Sequence, residues 1–243
     1  MTHQPNPRPD AGDDATPGAT PPADVHVYVL LDRSGSMAAM VDDVIGGFNG
    51  LLADQRADGA DARMTFVQFD TVDVQHTVAD AVPIAEVLPL DRASFQPRGG
   101  TPLLDATGIL LGRAAARATE RKASGLAAEE VVFVSITDGH ENSSHEYRLA
   151  TIRQLVDAHT AAGWDFVFLG AGVDVYGEAG SMGYAGGSVQ AFAPDGAGST
   201  EAFASLSRSM IDKRARVRRG DLAPAPFFVD KDAEADRDRR RGA

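Results

Sequence analysis

Five oxygen-bearing side chains stand at positions where an α/β protein would present a ligand site. Asp32, Ser34 and Ser36 close the apolar run in "VLLDRSGSM", Thr101 ends the loop "PRGGT", and Asp138 follows "VVFVSIT". Two carboxylates and three hydroxyls form a hard donor set. Such donors select Mg²⁺ or Mn²⁺, with Ca²⁺ less favoured because few carboxylates are offered. The chain has no cysteine, which excludes disulfides, thiolate chemistry and cysteine-type zinc sites.

The elements that position these residues are legible as apolar runs. "VHVYVLL", "ARMTFVQFD", "EEVVFVSITDG" and "WDFVFLGAG" are of strand length and nearly continuous, as parallel strands covered on both faces should be. "TVDVQHTV" alternates and predicts an edge strand, and "GSVQAFA" is a weaker last strand. Val41, Val44, Ile45, Phe48, Leu51 and Leu52 share one helical face. Further helices are predicted from Thr101 to Arg121, around Leu149–Val156, and from a Ser199 or Thr200 cap to Val217. Strands alternating with helices predict a single doubly wound α/β domain. Its central sheet is mainly parallel with one antiparallel edge strand, and helices cover both faces. In such sheets ligands bind beyond the carboxyl ends of the strands, where Asp32, Ser34, Ser36 and Asp138 fall. The expected organisation is a disordered leader over 1–24, one domain over 25–213, and a Pro-interrupted, then charged extension over 214–243.

The motif order D-x-S-x-S, a threonine in "GGTP", and "TDG" at a later strand resembles the von Willebrand factor A domain with its metal-ion-dependent adhesion site. "DRSGSM", "GGTPLLDA" and "TDGHENSS" look most like stand-alone bacterial or phage-associated members. The resemblance spans residues 25–213. It implies that Ser34 and Ser36 ligate a metal directly and that Thr101 does so directly or through water. Asp32 and Asp138 would act mostly through waters. A sixth position would take an Asp or Glu side chain from a protein partner. In relatives of this kind an acidic residue is expected where His140 stands.

Each of these residues also has a plainer reading. Ser36 suits a cap for a helix starting near Ala38, Thr101 suits an N-cap followed by proline, and Asp138-Gly139 suits a turn. His140 and His145 admit a zinc reading but are expected to be rim residues. Asp70 is read as a strand-end turn in preference to a supporter of the site. Arg33, Arg98 and Tyr147 are candidates to surround the open position, with solvated surface as the default. Met37 and Trp164 are read as packing, Met37 with a possible place on a contact surface.

An enzymatic reading is weaker. "GAGVDV" lacks the third glycine of a dinucleotide fingerprint, there is no P-loop, and no G-x-S-x-G elbow occurs. The alternative that survives is a metal-dependent phosphoester hydrolase, yet Ser34 stands where a general acid would follow a nucleophilic aspartate. The formal net charge of −12 argues against nucleic acid as the main partner. No apolar run approaches membrane-spanning length. With no secretory h-region and no cysteine, a cytoplasmic location is expected.

Overall fold

The computed structural model describes residues 24–172 and 174–232, together with 235 and 238. The expected leader therefore lies, apart from Asp24, outside the described residues. Six strands form one sheet: β1 (Val25–Asp32), β2 (Ala62–Phe69), β3 (His76–Pro83), β4 (Glu130–Thr137), β5 (Asp165–Gly170) and β6 (Val189–Ala191). Their spatial order is β3-β2-β1-β4-β5-β6, parallel except for β3. β1 is central and buried along its whole length, which is why its sequence is a continuous apolar run.

Alternate residues of β1 serve two cores. Val27, Val29 and Leu31 pack with α1 (Val41–Asp58) and α5 (Gly196–Arg218). Tyr28 and Leu30 pack on the other face with α2 (Leu103–Ala123), α3 (Leu149–Ala161) and α4 (Val175–Ser181). The sheet order reverses direction between β1 and β4, so the loops leaving their carboxyl ends diverge around a crevice. Register brings Asp32 opposite Phe69 and Leu31 opposite Ile136, so β1, β2 and β4 end at nearly one level.

Two expectations are corrected. The edge strand predicted over 71–78 runs instead over His76–Pro83. Asp70 Oδ1 accepts the N–H groups of Val72 and Asp73 and turns that stretch before pairing begins. The cap of α5 is Asp195, whose Oδ1 accepts the Gly198 N–H at 2.8 Å, and Ser199 already lies in the first turn. As expected, α5 runs through Val217; it ends at Arg218, and Arg214 within it is wholly buried. Beyond it, Phe227 and Phe228 return to the α1/α5 core. Burial of Arg214 is possible because Gln55 on α1 and the Gly59 carbonyl and Asp61 in the loop before β2 accept its N–H groups. Among the described residues, no helix is long and apolar enough to cross a membrane.

At the amino edge of the sheet, His26 Nδ1 donates to Glu129 at 3.1 Å, and Arg117 donates to both Glu129 oxygens at 3.1 and 3.0 Å. Burial would raise the Glu129 carboxyl, but the bonds from His26 and Arg117 outweigh it and hold it at about 2. A carboxyl depressed below its ordinary 4.5 contributes stability that is complete above that value and lost as pH falls through about 2. Denaturant midpoints are therefore expected to fall between pH 4.5 and 2, and Glu129→Gln to flatten the pH dependence in that window.

Candidate metal centre

Three loops meet at the carboxyl edge: residues 32–36 after β1, 98–101 before α2, and 138–142 after β4. Asp32 is fully buried. Its Oδ1 accepts the Ser34 N–H at 2.6 Å and its Oδ2 accepts the Thr137 hydroxyl at 2.6 Å. Ser34 Oγ lies 3.0 Å from Ser36 Oγ, and the Ser36 hydroxyl donates to Asp138 Oδ1 at 2.7 Å. The absent side chain of Gly139 marks their meeting point. A β-carbon there would stand 3.2 Å from Thr101 Oγ1, 3.5 Å from Ser36 Oγ and 3.9 Å from Asp32 Oδ2. The five residues singled out from sequence are thus brought together, three of them buried and Ser36 open to solvent.

The plainer readings of the hydroxyls do not describe this geometry. The N-cap residues of the 3-10 turn Gly35–Met40, of α1 and of α2 make no side-chain capping bond, and the first-turn N–H groups of Leu104 and Asp105 in α2 go to Glu141 and Ser144. Ser36 and Thr101 therefore keep their oxygens for the crevice. Asp138 turns its carboxylate to Ser36, across 102 residues of sequence, instead of closing a local turn.

Burial raises the Asp32 carboxyl to about 6, against opposing bonds from Thr137 and Ser34. Burial also raises Asp138, opposed by the Ser36 hydroxyl. Two acids held above their ordinary values behind hard hydroxyl oxygens form a site where a divalent cation would replace protons. The donor set fits Mg²⁺ or Mn²⁺.

Several builders of the site escape motif reading. Asn142 Oδ1 accepts the Thr101 N–H at 2.9 Å, and its own N–H donates to the Thr101 carbonyl at 3.2 Å. Glu141 accepts N–H groups from Leu104, Ser143 and Ser144. Asp105 accepts those of His145, Glu146 and Tyr147 at 2.7–2.9 Å. These two carboxylates fasten the 140s loop to the start of α2, where the helix dipole favours negative charge. The string "TDGHENSS" carried Thr137, Glu141 and Asn142, but their partners lie about forty to a hundred residues away.

Other candidates fall elsewhere. Arg33 is buried, and both it and Arg98 bond Asp70, so neither frames an open position. Tyr147 packs over Gly108 in the α2 core. Met37 is core, and Trp164 stacks on His159 with ring centroids 4.2 Å apart. His140 is exposed with Nδ1 3.3 Å from Glu178 of α4, which fits a rim residue. Among the described residues, no group of three or more His, Cys, Asp or Glu is clustered as a metal cage, so the zinc reading gains no support.

Solved structures share the fold. The pilus adhesin SpaC from Lactobacillus rhamnosus GG, in an open conformation, matches with TM-score 0.56 at 12% identity, over 79% of this chain and 30% of SpaC. Manganese-loaded TRAP of Plasmodium vivax matches at 0.50 and 15% identity, over 75% of this chain and 73% of TRAP. The VWA domain of SpRpn10 matches at 0.49 and 11% identity, over 73% of this chain and 93% of that domain. The fold is of the von Willebrand factor A type. At these identities the A-type likeness is one of fold alone, and the chain spans less than a third of SpaC. No protein-family model and no curated protein matches the sequence.

Proposed function

We propose that this A-type domain is a divalent-cation-dependent protein-binding module. Asp32, Ser34, Ser36, Thr101 and Asp138 hold Mg²⁺, or Mn²⁺ in its place, and an Asp or Glu side chain of a protein partner completes the coordination. The reading rests on one observation: five hard oxygens from three loops converge around Gly139, and none of the three hydroxyls is used to cap a helix. The manganese-loaded state of TRAP, a structure of the same fold, is in keeping with it. When bound, the cation supplies local positive charge on a protein with net charge −12, so an acidic partner is attracted at short range against the bulk field. Residues of this chain do the rest. Thr137 and the Ser34 N–H orient the Asp32 carboxylate, and Asn142 fixes Thr101. Exposed Ser36 and half-buried Asp138 leave the site accessible from solvent. We do not read it as an enzyme: the Ser34 hydroxyl faces Ser36 at 3.0 Å and occupies the place a hydrolase would give to a general acid.

Thermal unfolding tests this. A cation that binds only the folded state stabilises it by about 2.7 kcal/mol at a hundred times its dissociation constant. Wild type is expected to show a saturable rise in Tm with Mg²⁺ and Mn²⁺, and Ser36→Ala to lose it. No rise at millimolar cation in wild type rejects the proposal.

A further inference from the structure

We infer that Asp70 is a positioning residue for the cation site, acting through Arg33 and Arg98 to set the spacing between the Ser34–Ser36 loop and Thr101. The inference rests on the proposed cation site and adds a residue that makes no direct contribution of oxygen to it.

Asp70 follows the last residue of β2 and is completely buried. A strand-end turn needs only its Oδ1, which accepts the N–H groups of Val72 at 2.6 Å and Asp73 at 2.8 Å. The second oxygen is in excess of that role. It accepts Arg33 Nε at 2.8 Å and Arg98 Nε at 3.0 Å, one arginine from each of the two loops that supply hydroxyls. Four donors from three loops thus converge on one carboxylate.

The backbone repeats the connection. The Arg98 N–H donates to the Arg33 carbonyl at 2.8 Å, and the Gly35 N–H donates to the Gly99 carbonyl at 3.0 Å. Thr71, next to Asp70, accepts the Gly100 N–H on its hydroxyl at 3.0 Å. Gly99 has φ +65°, and a β-carbon there would stand 2.4 Å from Thr71 Oγ1, so the three loops touch with no room for a side chain. Ser34 follows Arg33 in the chain, and Thr101 lies three residues after Arg98. Any shift between the two arginines therefore moves serine and threonine oxygens relative to each other.

The charge matters as much as the shape. Arg33 is buried, and its ion-pair partner among the described residues is Asp70. Among the described residues Arg33 Nη2 has no acceptor, and apart from Asp70 the guanidinium reaches only the neutral Gln68 Oε1 at 3.4 Å, so no second carboxylate stands ready to replace a lost one. Removing the negative charge would leave a guanidinium uncompensated beside Ser34, which both loosens the loop and opposes a cation. Groups that support metal ligands from behind typically change affinity by roughly 10–100-fold when replaced.

The test is Mn²⁺ affinity, measured by calorimetry at fixed pH on the full chain, for wild type, Asp70→Asn, Arg98→Gln and a control, Arg117→Gln. Arg117 belongs to the Glu129 cluster at the opposite edge of the sheet. Asp70→Asn is expected to weaken Mn²⁺ binding tenfold or more, and Arg98→Gln severalfold. Arg117→Gln is expected to lower Tm and leave Mn²⁺ affinity unchanged. Arg98 is partly exposed, so its variant folds even where Asp70→Asn does not. Wild-type affinity in Arg98→Gln, with a fall in Tm like that of the control, would reduce Asp70 to a structural role and overturn the inference. Failure of wild type to bind Mn²⁺ at all overturns the cation reading, and this inference with it.

Discussion

Arg214→Ala is expected to lower the free energy of unfolding by about 3–5 kcal/mol, the range for removing one partner from a buried charged network. Arg214 extends from α5 into the end of α1 and is fully buried. Its Nη1 donates to the Gln55 carbonyl at 2.7 Å and to Gln55 Oε1 at 3.2 Å, and its Nη2 donates to the Gly59 carbonyl at 2.9 Å and to Asp61. The carbonyls are the costly part of the loss. Asp58 and Asp61 keep Arg218 as a partner, but Gln55 and Gly59 would face a cavity where a guanidinium had been. Arg218 makes a comparable list of bonds at a site one third exposed, and solvent screening leaves such pairs worth about 0–1 kcal/mol. Denaturant melts of the two variants therefore separate burial from bond number. A loss in Arg218→Ala as large as that in Arg214→Ala would contradict this account. The cation-induced rise in Tm should persist in Arg214→Ala where the protein is folded, because Gly59 precedes β2 at the amino edge and the crevice lies at the carboxyl edge.

The same contrast explains what the sequence discloses. β1, β2, β4 and β5 are legible because strands covered on both faces need continuous apolar side chains, and their carboxyl ends are then marked by the polar residues that stop them. Asp32, Ser34, Ser36 and Asp138 are legible that way, and Thr101 by its place in a glycine-rich loop just before a predicted helix. What spacing leaves undecided is whether a hydroxyl caps a helix or faces a crevice, since both put serine or threonine before a helix. Only the missing capping bonds distinguish them. The burial of Arg214 is not legible because it depends on acceptors some 155 residues away, and its neighbours Arg216, Arg218 and Arg219 are of the same residue type. Asp70 was half legible: its turn is local, but its pairing with Arg98 spans 28 residues. α4, at seven residues, is too short to show a periodicity.

Phe227 and Phe228 carry the second large effect. Each is expected to cost about 3–5 kcal/mol when replaced by alanine, the range for emptying a buried aromatic site. They stack edge to face with centroids 5.7 Å apart and belong to the core beneath α5. Polar contacts fix the segment around them. The Phe228 N–H donates to the Gly187 carbonyl at 3.3 Å, the Val229 N–H to Ser209 Oγ at 3.2 Å, and Ser205 and Arg208 hold Asp230 at 2.8 Å. Arg208 is substantially exposed, so its pair with Asp230 contributes little beside two aromatic rings. Arg208→Ala should accordingly move the denaturant midpoint far less than Phe228→Ala. The position of the segment adds a second consequence. β6 is a three-residue edge strand, and Gln190 within it donates to the Asp230 carbonyl at 3.3 Å, so residues 227–230 lie against the margin of the sheet. A chain ending at Gly220 would lose both rings and uncover that margin, and unprotected strand edges pair with other chains. Size-exclusion chromatography of the shortened chain is expected to show self-association at concentrations where the full chain elutes as a single species of lower mass. A shortened chain with unchanged elution and unchanged midpoint would mean that residues 221–243 contribute neither to the core nor to the guarding of β6.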